Sequence, residues 1–480
     1  MKIDILPEEV LLEIFDAYRQ DIGLLPRYEN IWNSRDGWFK LAHVCPRWRR
    51  LVLLSPTRLC VHLLFTPRRS SRVTMLKRLP PFPILVDYRA ASWTVREENL
   101  ALAAISNRSR VRGIALRTPY MDMVKLYRAL SHPFPELETL EIFPNFPRDH
   151  EWLILPANFL SGSIPCLRRL TLRKVAPGCL SPLLSSATGL VELTLSLHTE
   201  WGSPPEASLL ANLRRMSRLR RLELTLLYQL SALILDPPPP ADPGDVVPLS
   251  ELTHVIFTGH RTYLEALVVG LAAPSLQHLD TKLYGQSHGA FTIPHLCKFI
   301  RNSECQFNTI RMVFSRSKLK FSAGTGSESI DDFPFRIVIP EPVSLEQMGQ
   351  ELSGPFSTTK ELIVTLDEPW FREPQGPSLT EWRGFFYHIP QVKMVQIPAR
   401  EASNVAYAFL QDGQEPAVDL LPVLEKIKVD MRHRRHVASS RSDLHASIRD
   451  SFEPLIAARE HVGSPVTLII MDVDVDRGAV

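Results

Sequence analysis

The sequence predicts an α/β chain: a small N-terminal helical module, then an irregular array of strand-and-helix units whose strands form a curved parallel sheet. Three observations predict it. A short N-terminal helix carries more apolar surface than one contact needs. A six-residue apolar phrase then recurs eight times. Proline, at 40 residues against 21 glycines, is frequent enough to stop elements often and keep them short. The 480 residues are 45% hydrophobic, 22% charged and 8% aromatic, the composition of a folded chain.

Residues 7 to 18 are predicted as the first helix. Pro7 suits the first helical position, and Glu8 and Glu9 complement the positive end of the helix dipole. Val10, Leu11, Leu12, Ile14, Phe15 and Tyr18 cover roughly 200° of its circumference, where an ordinary surface helix buries about 100°. That surface is enough for two contacts, one inside the module and one with another chain. The expectation fails if Leu11, Leu12 and Phe15 are all enclosed by this chain; the alternative is a helix sunk in a larger core. A polar insertion with Trp32 and Trp38 spans residues 19 to 38. Leu41-Ala-His-Val44-Cys45-Pro46-Arg47-Trp48-Arg49-Arg50-Leu51-Val52 follows. Pro46 disfavours helix at Cys45 and starts a new one, on which Trp48, Leu51 and Val52 share a face until Ser55-Pro56 ends it.

Opening strands are expected from Arg58–Phe65 and Pro83–Val86. The repeated phrase is apolar-x-x-apolar-x-apolar. It starts at Leu137, Leu167, Leu190, Leu219, Leu252, Leu276, Val392 and Leu424. Intervals within the first six copies are 30, 23, 29, 33 and 24 residues, and the last two lie 32 apart. That period suits units of one short strand and one helix, which must stack to hide their apolar faces. The fourth and sixth positions alternate onto one sheet face and the third and fifth onto the other. Stretches such as Tyr120–Leu130 and Leu209–Met216 are expected to supply covering helices. Residues 310 to 360 keep the period poorly. Two projecting loops are expected, about residues 235–248, where Pro237 to Pro240 run consecutively, and 322–332.

The chemistry of enzymes is not visible. Gly324-Thr-Gly326 lacks the lysine and the context of a phosphate loop, and no catalytic elbow, HExxH or kinase signature occurs. His295, Cys297 and Cys305 make half a zinc pattern with no second pair. Asp472, Asp474 and Asp476 would share a strand face, read as a solvated terminus. Catalytic residues, metal and cofactors are therefore expected to be none. Six cysteines without a CxxC pair are expected to be buried reduced thiols. A formal net charge of +3 gives no electrostatic case for nucleic acid or an anionic membrane. The basic runs at Arg432–Arg435 and Arg68–Arg72 lack interleaved aromatics. Asp4, Glu8 and Glu9 stand where a signal peptide would carry a cationic start and an apolar run, and no apolar stretch approaches a membrane span, so the cytoplasm and/or nucleus is expected.

Leu6-Pro7-Glu8-Glu9-Val10-Leu11-Leu12-Glu13-Ile14-Phe15, followed by Leu41-Ala-His-Val44-Cys45-Pro46-Arg47-Trp48-Arg49, resembles an F-box. The resemblance covers about residues 3 to 60. The spacer is longer than the family's, and Cys60 stands where Leu-Trp commonly closes the motif. The repeats resemble the irregular leucine-rich repeats found behind F-boxes, without their position-specific Asn or Cys. The resemblance implies an F-box-like helical domain over residues 1–60 and a leucine-rich-repeat-like solenoid over 61–480. It implies a non-catalytic substrate receptor of a cullin–RING ubiquitin ligase, hung on the cullin through a Skp-type adaptor. By matching position, Leu6, Pro7, Val10, Leu11, Ile14, Phe15, Val44, Cys45 and Trp48 would serve the adaptor contact or its supporting core. Leu6→Ala with Pro7→Ala would then abolish adaptor binding. An unidentified target protein would meet the outward strand positions Arg169, Thr171, Arg173, Glu192, Thr194, Arg221, Glu223, His254, His278, Lys426, Lys428 and Asp430. The alternative is a free-standing interaction scaffold in which the helical segment merely caps the first repeat.

Overall fold

A computed structural model of the chain describes residues 6–22, 37–55, 63–65, 82–89, 94–145, 152–176, 180–198, 206–227, 246–284, 292–303, 305–315, 318–325, 333–340, 343–366, 377–411, 415–416, 419–431 and 441–471. It is an α/β protein whose strands form mostly parallel, in part mixed, sheet. The chain divides into two units, Met1–Leu219 and Arg220–Val480.

The first unit opens with three helices, α1 (Glu8–Ile22), α2 (Gly37–Val44) and α3 (Pro46–Leu54). As expected, α3 starts at Pro46 and stops at Ser55. Cys45 forms its N-cap, its sulfur accepting from the Trp48 N–H at 3.5 Å. Helix α1 runs past its expected end into the polar insertion.

Strands β1 (Leu63–Phe65), β2 (Ile84–Arg89), β3 (Val111–Pro119), β4 (Thr139–Asn145), β5 (Arg169–Val175) and β6 (Glu192–His198) follow. Each pairs in parallel with the next in chain order. Between and after them come α4 (Val95–Ile105), α5 (Tyr120–Leu130), α6 (Leu180–Ser186) and α7 (Glu206–Leu213). Helix α4 carries a capping box from Thr94 to Glu97. Helix α5 buries Met123, Leu126 and Leu130, three or four residues apart, the stripe an amphipathic helix presents to a sheet.

The second unit contains β7 (Arg221–Leu227), β9 (His254–His260), β11 (His278–Tyr284), β12 (Thr309–Ser315), β13 (Lys318–Gly324), β14 (Phe335–Ile339), β15 (Glu361–Leu366), β16 (Met394–Pro398), β19 (Lys426–Asp430) and β20 (Thr467–Met471). Short pairs are β8 (Val247–Pro248) with β10 (Leu271–Ala272), and β17 (Leu410–Gln411) with β18 (Glu415–Pro416). Its helices are α8 (Arg261–Val269), α9 (Pro294–Arg301), α10 (Leu345–Leu352), α11 (Leu379–Tyr387), α12 (Ala402–Ala408) and α13 (Arg441–His461). Successive helices from α8 to α13 pack against one another.

All eight phrases become strands that begin at the third residue of the phrase. The first, fourth and sixth positions form the core: Leu167, Leu170 and Leu172, or Leu424, Ile427 and Val429, are all buried. Three further strands carry the phrase, two beginning at its third residue and β3 at its first. Val111-Arg-Gly-Ile114-Ala-Leu116 precedes the first phrase, and Phe307-Asn-Thr-Ile310-Arg-Met312 falls where the period seemed lost. In the third, Thr359 stands at the head of the phrase, before Leu362 and Val364.

The lost period has a structural cause. Strand β13 pairs antiparallel with both β12 and β14, and β14 then pairs in parallel with β11. In the sheet β13 and β14 thus stand between β11 and β12, while the units begun at Phe307 and Thr359 pair directly, β12 with β15 in parallel. This corrects the expected loop at 322–332: Ser322 to Gly324 belong to β13, with Ser322 and Ala323 buried, and 326–332 lie outside the described residues. The expected loop at 235–248 is corrected likewise, since Val247 and Pro248 pair with Leu271 and Ala272; 228–245 lie outside the described residues.

Thr359 supplies a stability prediction. It is buried in a position that other units fill with Leu, Val or Phe, and its hydroxyl has no hydrogen-bond partner among the described residues. Thr359→Val keeps the shape and removes the stranded hydroxyl. It is expected to raise stability by about 1 kcal/mol, seen as a higher urea midpoint at unchanged slope.

Candidate functional site

The helical module is closed on itself by α1 and α3. Phe15 packs edge-on against Trp48 with ring centroids 4.7 Å apart. Leu11, Leu12, Ala42, Leu51 and Val52 complete a small core. Leu11 and Phe15 are both 0% exposed. Of the residues expected to serve the adaptor contact or its supporting core, Leu11 and Phe15 fall to the core, and Trp48 is half-buried against Phe15. With Leu12 also covered, all three residues are enclosed by this chain, and the expectation of a second contact through them fails. One α-helical face cannot both hold the module together and stay vacant.

A narrower apolar surface remains. Val10 and Ile14 are 41% and 44% exposed, one turn apart on α1, and Val44 at the end of α2 is 60% exposed. Pro7 is exposed and Leu6 half-buried. Cys45 is half-buried and occupied as the cap of α3. The lead-in is tied down by two arginines. The Arg47 guanidinium donates to the Leu6 carbonyl at 2.6 Å, and Arg50 pairs with Glu8 at 3.0 Å. Both contacts join residues about forty positions apart, so local spacing carried no sign of them. Tyr18 has no described side chain.

The second candidate surface is the polar face of each sheet. In the first unit Arg169 and Glu192 are register partners and pair at 3.3 Å, Thr171 stands beside Thr194, and Arg173 beside Ser196. Arg173 is exposed; Arg169, Thr171 and Glu192 are half-buried. Thr194 is buried beside Thr171. In the second unit Arg221, His254 and His278 align across β7, β9 and β11. Arg221 is 3.6 Å from Glu223, and the two imidazoles stack with centroids 4.5 Å apart. Beside them an Asp280–Arg336 ion pair joins β11 to β14, which no reading of period could foresee.

Lys426, Lys428 and Asp430 share β19. Lys426 is exposed, but Asp430 is only 4% exposed, at a strand end between Pro398 and Met471. Thr194 and Asp430 are therefore corrected as target contacts: both side chains are covered. The face is also less uniformly polar than expected, since Ile256 and Ile363 occupy fifth positions.

Burial first, then His278 and Arg221, pull the His254 pKa down from 6.5 to about 4. The folded state thus holds this ring neutral where the unfolded chain protonates it. Its contribution is present above about pH 6.5 and is lost as pH falls from there toward 4. His254→Gln is expected to flatten the fall in urea midpoint between pH 7 and pH 4.5. An unchanged pH profile would count against the pairing.

No protein-family model matches the chain, and no curated protein matches it.

Among the described residues no group of three or more His, Cys, Asp or Glu is placed to hold a metal ion. His295, Cys297 and Cys305 are engaged separately. The backbone N–H groups of His295 and Leu296 donate to the Glu265 carboxylate, which covers the start of α9. Cys297 is buried, and burial pushes its thiol up. Cys305 donates to the Leu276 carbonyl. Cys166 is exposed, which corrects the expectation of buried thiols; Cys60 and Cys179 lie outside the described residues. So do Arg68–Arg72, Arg432–Arg435 and Asp472–Asp476. Among the described residues no helix is long and apolar enough to cross a membrane.

Proposed function

We propose that this chain is a substrate-receptor subunit of a Skp–cullin–F-box ubiquitin ligase. The helical module docks on a Skp-type adaptor, and the repeats, as an irregular leucine-rich-repeat-like solenoid, hold a target protein. The receptor makes and breaks no bond itself. It brings an acceptor lysine of the target near a charged ubiquitin-carrying enzyme. A site of action in the cytoplasm and/or nucleus belongs to the same reading.

The observation that carries it is the exposure of Val10 and Ile14 on the helix that bears the F-box-like motif, beside a Leu6-Pro7 lead held by Arg47. Exposed aliphatic side chains one turn apart, on a helix whose other face is fully used, suit coverage by a partner. The burial of Leu11, Leu12 and Phe15 favours a second reading, a scaffold whose helical module is only a terminal cap.

Affinity purification with residues 1–60 present or deleted separates the two. Under the ligase reading the adaptor and cullin vanish on deletion while target proteins remain. Recovery of no adaptor by the full chain supports the scaffold.

A further inference from the structure

Strand β3 carries two arginines in opposite circumstances. Arg112, near its start, donates to Glu138 at 2.7 Å and lies 3.4 Å from Glu136. Arg117, near its end, is exposed and lies over the Phe143 ring, 4.9 Å from the centroid. Among the described residues no carboxylate pairs with Arg117. A ring beneath a guanidinium holds it flat and leaves its N–H edge open, so less side-chain freedom is lost when that edge grips a carboxylate.

The surroundings define the ligand further. Register aligns Arg89 on β2, Arg117 on β3 and Phe143 on β4 in one row, which contains no acidic residue. Two residues toward the strand starts, the adjacent row holds Asp87, Ala115 and Glu141. Those carboxylates oppose a continuous phosphate backbone but tolerate an isolated acidic side chain set over Arg117.

We propose that Arg117, stacked on Phe143, is a carboxylate-recognition point that takes one isolated Asp or Glu side chain of a partner protein. The proposal rests on the receptor reading, and names the chemistry of the target at one place on the face.

The test uses the full-length chain and a fluorescein-labelled peptide bearing one glutamate among neutral residues, followed by anisotropy. Binding is expected, and is expected to weaken with salt. Arg117→Ala should weaken it at least about tenfold. Arg117→Lys, which keeps the charge without the planar fork, should recover only part. Arg112→Ala should leave it unchanged. Failure of the wild type to bind, or equal binding by Arg117→Ala, overturns the proposal. Arg117-dependent binding of a single-stranded oligonucleotide in preference to the peptide also overturns it. Adaptor capture is measured on the same proteins. Adaptor captured with Arg117 irrelevant to the peptide defeats this inference alone; no adaptor captured by the wild type defeats the ligase reading.

Discussion

Replacing Arg459 with alanine is expected to destabilise the Arg220–Val480 unit by about 3 kcal/mol, the cost of stranding several buried acceptors. Arg459 lies on α13 and is 1% exposed. Its guanidinium donates to the carbonyls of Leu420 at 2.7 Å, Leu421 at 3.0 Å and Pro422 at 3.0 Å. Those carbonyls form the turn into β19, where Leu421 has a φ of 52° that a leucine adopts only under constraint. Alanine would remove the guanidinium donors from the Leu420 and Pro422 carbonyls and leave Leu421 only the Leu424 N–H, while α13 keeps its packing on β20. Arg459→Met separates bonding from packing, because it restores the stem volume alone. A loss close to that of alanine is expected, read from urea midpoints. A loss below about 1 kcal/mol for both variants would show that the turn supports itself.

The repeating architecture was largely legible because its signal is local. One apolar phrase sets a buried first position, then a strand with buried fourth and sixth positions, and Leu137, Leu167 and Leu219 all announce themselves in this way. Thr359 hid a unit because the core position holds a residue that spacing rules read as polar. The β13–β14 meander hid two boundaries, since antiparallel strands inside a parallel sheet carry the same alternation. Side-chain fate was less legible than strand position. Asp430 and Thr194 sit at outward positions yet are covered, a fate that depends on residues distant in sequence and not on strand parity. On α1 the apolar arc was correctly sized, but its division between core and surface depended on Trp48, a residue 33 positions after Phe15.

That division sharpens what should happen at the docking surface. Val10→Arg with Ile14→Arg is expected to weaken adaptor capture at least about thirtyfold, on the order of 2 kcal/mol. Both side chains already face solvent in the free chain, so the helical signal and the thermal midpoint should hardly change. Leu6→Ala with Pro7→Ala should give a comparable loss, because the Arg47 bond reaches the Leu6 backbone and survives the substitution. Leu11→Arg should behave differently and unfold the module, since Leu11 has no path to solvent. Undiminished capture by the Val10→Arg, Ile14→Arg protein would mean that the adaptor, if bound, sits elsewhere.

Hydrogen–deuterium exchange on the full-length chain, with and without a purified Skp-type adaptor, tests most directly whether another polypeptide covers the first helix. Slowed exchange over Glu8–Ile22 and Pro46–Leu54, with the strands unaffected, is the result expected of an adaptor-bound receptor. Exchange over those helices unaltered by saturating adaptor would contradict it and leave the module as a cap.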